Sequence, residues 1–581
     1  MNLNRALAQV ASFVDRRIGW DRLPRPLGIV TLIGLRDRLR EENLANTRLI
    51  RPTPPRPADL HVRTLDGGWN DLTKPAMGSL NTRFGRNIPL ERAYRSSEPE
   101  LREPSPRRVA EKLLARKEFI PADSVNMLAA AWIQFEVHDW LSHDTSPSWP
   151  FCLKLDKDDD WPKRPMKIPR SVPDRPRATP DIPTAYATHD THWWDASQIY
   201  GCDKNFQNAA RTGVGGRLQL EDGLHPRALD RFLDPPGPRG NFWVGLALLH
   251  ALFIREHNAI CDALRSEHPG WTDDRLHDKA RLINAAVMAK IHSVEWTPAI
   301  IAHPTTELAM NINWYGLLGK RIRQLGRVGR SDILSGIRGS PTEHFGVPYS
   351  LTEEFVSVYR MHPLIRDEYE FWSLGGGPAT TYSFPAIGPR EWRASLRGIG
   401  VADAFYSLGI ANPGAIVLHN YPTSLRTNFR PDLNGPLVDL ATVDIFRDRE
   451  RGVPRYNEFR ALMHRKPVAS FNELADDTQV AAELKEVYDH VDRVDLMTGL
   501  YAERRPKGFA FSDTAFRIFI LMASRRLKSD RFFTTDYTEE VYTRAGLEWI
   551  ERATMANVLV RHYPQLGSLV RRDNAFKPWH R

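Results

Sequence analysis

Tyr359-Arg360-Met361-His362 places a phenol three residues ahead of an imidazole. Residues three apart on a helix share a face, with Cβ atoms about 5–6 Å apart. An imidazole can be the axial ligand of a haem iron. A phenol that close to the macrocycle can lose an electron and become a radical able to take hydrogen from carbon. The bland alternative is two core residues with hydrogen-bonded tips, and the pair by itself does not choose between them.

Gln134 and His138 form a second pair, four apart and so on one helical face, among Trp132, Phe135 and Trp140. A neutral imidazole there can shuttle the proton needed to break a peroxide O–O bond, with the glutamine orienting water or peroxide. Asp139 points to another face and can ligate a hard cation. Further on, the Thr191 hydroxyl, Trp193 carbonyl, Asp195 carboxylate and Ser197 hydroxyl offer oxygens at every second position. With Asp139 they would make a calcium site tying this loop to the helix of His138. A capped turn and satisfied core side chains are the competing explanations.

The elements that must hold these groups are helical. Apolar spacing predicts helices over 124–141, with Asp123 or Ser124 as cap, and over 243–265, 274–296, 352–361, 471–498 and 515–528. Strand signals are scarce, and no internal repeat is present. Proline-rich stretches at 51–57, 161–183 and 233–239 read as surface loops. The expectation is a mainly α protein with an irregular N-terminal arm, residues 1–110, packed on a catalytic body, residues 111–581. Within the arm, 27–35 (LGIVTLIGL) followed by a basic stretch is a membrane-contact candidate, although docking on the body is the preferred reading.

Composition narrows the function classes. With 26% charged and 41% apolar residues the chain is an ordinary globular protein, soluble or peripheral to a membrane. Its net charge of +9 favours anionic substrates or anionic lipid. No zinc knuckle, basic zipper or RNA motif points to nucleic acid. Cys152, Cys202 and Cys261 are too few and scattered for a disulfide framework or zinc site, which suggests a reducing, cytoplasmic setting. The first residues lack the apolar core of a signal peptide, so secretion is not expected. The longest apolar run, 241–254, is too short to span a bilayer.

Taken in order, the motifs resemble those of the peroxidase–cyclooxygenase superfamily of haem proteins. Gln134-x-x-x-His138-Asp139 is similar to the distal helix, and Thr191-x-Trp193-x-Asp195-x-Ser197-Gln198-x-Tyr200-Gly201 to the calcium loop. His250 through Arg255-Glu256-His257-Asn258 resembles the helix that follows. Tyr359-x-x-His362-Pro363-Leu364 resembles the proximal helix of the cyclooxygenase branch. The late signature is matched by Asp439-Leu440, Arg447-Asp448-Arg449, Gly452 and Tyr456-Asn457. Further segments resemble the fatty-acid α-dioxygenases over nearly the whole chain: Ile18-Gly19-Trp20, Arg38-Leu39-Arg40, Trp132-Ile133-Gln134-Phe135, Arg447 through Arg451, and Ala523 through Leu527 with Asp530-Arg531-Phe532-Phe533.

That resemblance implies one large helical catalytic domain, against the two to four domains that 581 residues would suggest. It implies haem b bound through His362 with His138 on the distal side. The bond is expected to be non-covalent, because Val137 and Phe242 stand where relatives carry ester-forming carboxylates, and Trp243 where one branch has a methionine. Asp444 aligns with the residue behind the proximal histidine, often asparagine in the family. Tyr359 would carry the radical, formed with a peroxide activator, and O2 would add next to the carboxylate of a fatty acid to give a 2-hydroperoxy acid. The implied carboxylate anchors are His292, Thr297 and a late arginine, Arg525 or Arg526, of which Arg525 is preferred. Calcium would sit on Asp139, Thr191, Trp193, Asp195 and Ser197, and the enzyme is expected to be a monomer. The alternatives are a haem peroxidase oxidising small phenols or halide without a fatty-acid channel, and a haem- or lipid-binding protein without turnover.

Overall fold

The computed structural model describes residues 3–47, 51–174, 182–233, 241–319, 327–389, 391–427 and 437–580. Parts of two proline-rich stretches, 175–181 and 234–239, lie outside the described residues.

Helices dominate. Among the described residues the sheets are two antiparallel ribbons, β1 (Thr145–Leu153) with β2 (Met166–Ser171) and β3 (Glu368–Phe371) with β4 (Thr380–Ser383). The helices that position the site are α1 (Leu3–Arg17), α2 (Arg25–Glu42), α3 (Met127–Trp140), α4 (Val244–Glu267), α5 (Asp273–Ile291), α6 (Pro304–Tyr315), α7 (Glu353–Val358), α8 (Leu440–Glu450) and α9 (Asp513–Ser529). Helices α3 and α4 are buried along most of their length and pack on one another as the centre of the core. A helix apolar on all sides can only be stable in such a place.

Local chemistry moved several boundaries. The distal helix α3 starts later than expected, because Asn126 rather than Asp123 or Ser124 accepts the Ala129 N–H. The stretch 471–498 is not one helix. Asp477 caps a new helix, Thr478–Tyr488, and Asp489 at φ 62° ends it. The 352–361 helix stops at Val358, since Pro363 has no N–H and disfavours helix at His362. The chain then turns on a Met361 N–H to Tyr359 carbonyl bond of 2.9 Å into a 3₁₀ turn, His362–Leu364.

The N-terminal arm begins with two helices. Leu32, Leu35 and Leu39 of α2 are buried, and Arg40 reaches Ser524 of α9 at 3.0 Å. Gly28 lets α2 approach α6, because a Cβ there would meet Thr305 Cγ2 at 2.9 Å. Leu27 and Val30, on the same helix, stay exposed.

Candidate active site

His362 follows α7 through the turn just described. Its Nδ1 lies 2.9 Å from Asp444 Oδ2, on α8. Tyr421 donates to the same carboxylate oxygen at 2.9 Å, and Arg360 Nε lies 3.4 Å from its partner oxygen. Burial pushes the Asp444 carboxyl up, but His362, Arg360 and Tyr421 outweigh it and hold the group below its ordinary value. The arginine-rich late signature supports this side: Asp448 accepts from Ser357 at 2.9 Å and pairs with Arg360. With Nδ1 turned to a carboxylate, the imidazole presents Nε2, which has no hydrogen-bond partner among the described residues. This is the donor set that proximal haem ligation requires.

On α3, the Gln134 amide is fixed from both ends. Its Oε1 accepts from Trp243 Nε1 at 2.8 Å and its Nε2 donates to the Asn241 carbonyl at 3.2 Å. Burial holds the His138 imidazole down to about 4, with a hydrogen bond to Asn241 working the other way. It is therefore neutral near pH 7 and able to accept a proton. Val137 and Phe242 offer no ester-forming group.

Tyr359 is enclosed by aromatic rings. Phe519 of α9 stacks on it at 4.5 Å, Phe355 lies at 4.2 Å and Trp140 stands edge-on at 5.7 Å. Burial pushes its phenol well above the ordinary tyrosine value, so the ring is a protonated phenol.

The structure departs from the sequence reading at the late arginine. Arg525 donates to the carbonyls of Val347 at 2.8 Å and Pro348 at 3.1 Å, a packing role. Arg526 instead lies 3.8 Å from the centre of the Trp140 ring and 4.6 Å from that of Trp194. Its Nε and Nη2 are buried without partners. Its charge acts on both Tyr359 and His292. The signal that could have chosen it is its seven-residue spacing from Phe519, two helical turns on one face of α9.

His292 packs against Trp296 at 4.5 Å and Trp194 at 5.0 Å, and its Nδ1 accepts from Trp132 at 3.2 Å. Burial, then the Arg526 charge, holds it well below its ordinary value, so it is neutral. The helix predicted over 274–296 does not stop at its last residue. A π-turn, His292–Trp296, carries α5 into a short helix, Thr297–Ile300. In a π-turn the hydrogen-bond step is five residues, so Thr297 stands over His292, and its hydroxyl donates to the His292 carbonyl at 2.8 Å.

From Thr297 and Phe519 an apolar cavity of ≈ 710 Å³, including its solvent-open part, runs between α2, α6 and α9. Ile29, Ile33, Met310 and Ile520 are among its walls.

The loop beside α3 gathers Asp139, Thr191, Trp193, Asp195 and Ser197, all buried. Ser197 donates its backbone N–H and its hydroxyl to Asp139 Oδ1 at 2.5 and 2.6 Å. Asp139 Oδ2 and Asp195 Oδ1 are buried without partners. Burial, then the nearby Asp195 charge, pushes the Asp139 carboxyl well up. Two buried carboxylates with free oxygens fit a hard divalent cation. Gly78, at φ 67°, admits the Trp193 indole, which a Cβ would meet at 2.7 Å.

Sequence reasoning passed over Glu136, between Gln134 and His138. It is fully buried, accepts from Trp194 Nε1 at 2.7 Å, and burial pushes it up to about 8.

Comparison with known proteins gives the family. The sequence pattern of the animal haem peroxidase family matches residues 62–576. An alpha-dioxygenase 1 from Capsicum annuum is 40% identical over 600 residues, covering 99% of this chain and 92% of that protein. The crystal structure of the Arabidopsis thaliana fatty acid alpha-dioxygenase superposes with a TM-score of 0.92 at 38% identity, covering 99% of this chain and 92% of that one. An Oryza sativa fatty acid alpha-dioxygenase variant with palmitic acid superposes with a TM-score of 0.91 at 35% identity, covering 100% and 98%.

Proposed function

Because the chain belongs to the animal haem peroxidase family, in its α-dioxygenase branch, we propose that it uses haem and a Tyr359 radical to add O2 at the α carbon of a fatty acid. The observation that carries this reading is the buried Arg526 guanidinium, whose Nε and Nη2 have no partner and whose charge acts on both Tyr359 and His292, close to an apolar cavity walled by Phe519, which stacks on Tyr359, and Thr297, which bonds to His292.

Haem b, held non-covalently by His362, would supply reduction of a peroxide activator and the oxidising equivalent delivered to Tyr359. The neutral His138 imidazole accepts the peroxide proton and returns it to the leaving oxygen, with Gln134 orienting the peroxide. Arg526 takes the fatty-acid carboxylate, His292 and Thr297 bound the same pocket, and the alkyl chain fills the cavity. Anchoring the carboxylate puts Cα, rather than a mid-chain carbon, against the phenol oxygen. The Tyr359 radical takes one Cα hydrogen, O2 adds to the carbon radical, and the resulting peroxyl recovers the hydrogen from Tyr359. The sum is one fatty acid plus O2 giving one 2-hydroperoxy acid, with the radical regenerated.

Calcium on Asp139, Thr191, Trp193, Asp195 and Ser197 would fix the loop against α3. Residues 1–110 form an arm on the 111–581 catalytic body and supply one wall of the cavity. Val10 and Phe13 of α1, Leu27 and Val30 of α2 and Leu308 of α6 are exposed, and Val30 and Leu308 adjoin the cavity-wall residues Ile29 and Ala309. Together with Arg16 and Arg17 they suit a lipid surface from which the substrate enters. The three unpaired cysteines suit a reducing, cytoplasmic setting. No helix among the described residues is long and apolar enough to cross a membrane.

The decisive experiment is oxygen consumption by haem-loaded protein given palmitate and a trace of peroxide, with product mass read afterwards. A 2-hydroperoxy acid, or the aldehyde one carbon shorter, is expected from the wild type. Tyr359→Phe is expected to abolish oxygen uptake and keep some peroxide-dependent phenol oxidation. Phenol oxidation alone in the wild type would replace the dioxygenase reading with that of a plain peroxidase.

A further inference from the structure

The Tyr359 radical of the preceding section, on which this inference rests, would be formed among oxidisable indoles. Trp140 stands 5.7 Å from Tyr359, and Trp194 a further 5.5 Å from Trp140, each edge to face. Trp194 in turn lies 5.0 Å from His292. Rings in contact exchange electrons readily, and an indole is about as good a donor as a phenol. Without a restraint, an idle tyrosyl radical would drain into these rings before a substrate arrived.

We propose that Arg526 has a second role: stacked on Trp140 and Trp194 and with no salt-bridge partner among the described residues, it confines the unpaired electron to Tyr359. A guanidinium over an aromatic face is attracted by the ring's electrons. Oxidising that ring would put two positive charges in contact in a water-poor core. A hop from Trp140 would move one electron to the phenoxyl, leaving an indole cation radical and a phenolate. The phenolate is itself disfavoured, because burial outweighs the Arg526 charge that would favour it. The indole can escape the clash only by losing its N–H proton. Trp140 Nε1 is buried with no acceptor. Trp194 Nε1 does have one, Glu136 Oε2 at 2.7 Å, but burial keeps that carboxyl protonated through neutral pH. Both exits for the proton are therefore closed.

The arrangement links protection to substrate. With the pocket free of fatty acid, the Arg526 charge is uncompensated and the indoles are hardest to oxidise. A bound carboxylate cancels that charge, but it also brings the Cα hydrogen that the radical consumes.

The test uses electron paramagnetic resonance of haem-loaded protein, freeze-quenched after peroxide, with ring-deuterated tyrosine or tryptophan to identify the radical. Wild type without fatty acid is expected to show a tyrosyl signal alone. A 2,2-dimethyl fatty acid neutralises Arg526 but has no Cα hydrogen. Adding it to the wild type is expected to shorten the tyrosyl lifetime several-fold and bring up a tryptophanyl signal. Arg526→Gln is expected to do the same without ligand, and Trp140→Phe in that background to restore the tyrosyl signal. An unchanged tyrosyl signal with the dimethyl acid and in Arg526→Gln would overturn the inference and leave the dioxygenase reading standing. So would a longer tyrosyl lifetime from Trp140→Phe in the otherwise wild-type protein. No tyrosyl signal in any sample would remove both readings.

Discussion

Arg525 and Arg526 are identical in type and adjacent in sequence, yet they meet different worlds. One guanidinium gives an Nη2 to two backbone carbonyls, while the other lies buried against two indoles with its Nε and Nη2 unpartnered among the described residues. A charge-assisted pair with a carboxylate contributes about 1.5–3 kcal/mol. Arg526→Ala should therefore raise the fatty-acid KM by about 10–150-fold, whereas Arg525→Ala should lower the Tm and leave KM near its wild-type value. Steady-state kinetics with palmitate and thermal melts of both variants check this. Glu136 gives a second prediction. Its folded value of about 8 lies above its ordinary 4.5, so the native state holds the proton longer than the unfolded chain. That stability is complete below about 4.5 and is lost as pH rises towards 8. Glu136→Gln cannot titrate, so its Tm should gain on the wild type between these limits and run parallel to it above them. Parallel melting curves across the whole range would show that the carboxyl titrates normally.

At the level of elements, two irregularities bring the chemistry together. The π-turn after α5 places Thr297 over His292, and the break after α7 sets His362 on a 3₁₀ turn facing Asp444. Both lie at Pro298 and Pro363, whose missing N–H removes a helical bond. The loop of Asp195 and Ser197 is a third such device, because it touches the carboxyl end of the distal helix through Asp139. Chelation of calcium should lower the Tm and restored calcium should raise it again. Asp139→Asn should melt at the chelated value and respond to neither. A wild-type Tm indifferent to chelator and to added calcium would leave these carboxylates without a metal role.

For the molecule as a whole, the arm and the body share one cavity. Helix α2 turns Ile29, Leu32 and Ile33 inward and leaves Leu27 and Val30 outside, so the wall of the channel is also an exposed apolar surface. Exposed apolar clusters of this kind mark contact surfaces. The protein should therefore sediment with vesicles containing anionic lipid, less so at high salt. The double change Leu27→Glu and Val30→Glu should reduce that binding while leaving turnover of a short, freely soluble fatty acid unchanged. Equal recovery of both proteins in the vesicle pellet would argue that the surface does not face lipid.

The residue types and their order determined the family and the helical class, and they supplied the groups proposed to react. Gln134, His138, Tyr359 and His362 carry their chemistry in spacings a helix converts into faces, and Asp444 follows from the late signature. Positions governed by long-range packing were not legible. Periodicity along 124–141 could not show that Asn126 would be the cap, since the choice depends on which side chain reaches the first free N–H. The 471–498 stretch has the apolar spacing of a helix, and only the fold broke it at Asp477 and Asp489. The choice between Arg525 and Arg526 was not legible for the same reason: two neighbouring arginines differ only in what the rest of the chain puts opposite them. Sequence fixes which groups are available and which local turns are cheap. Which guanidinium is left buried against the indoles with N–H groups unused is set by contacts between residues hundreds of positions apart, and these exist only once the core has closed.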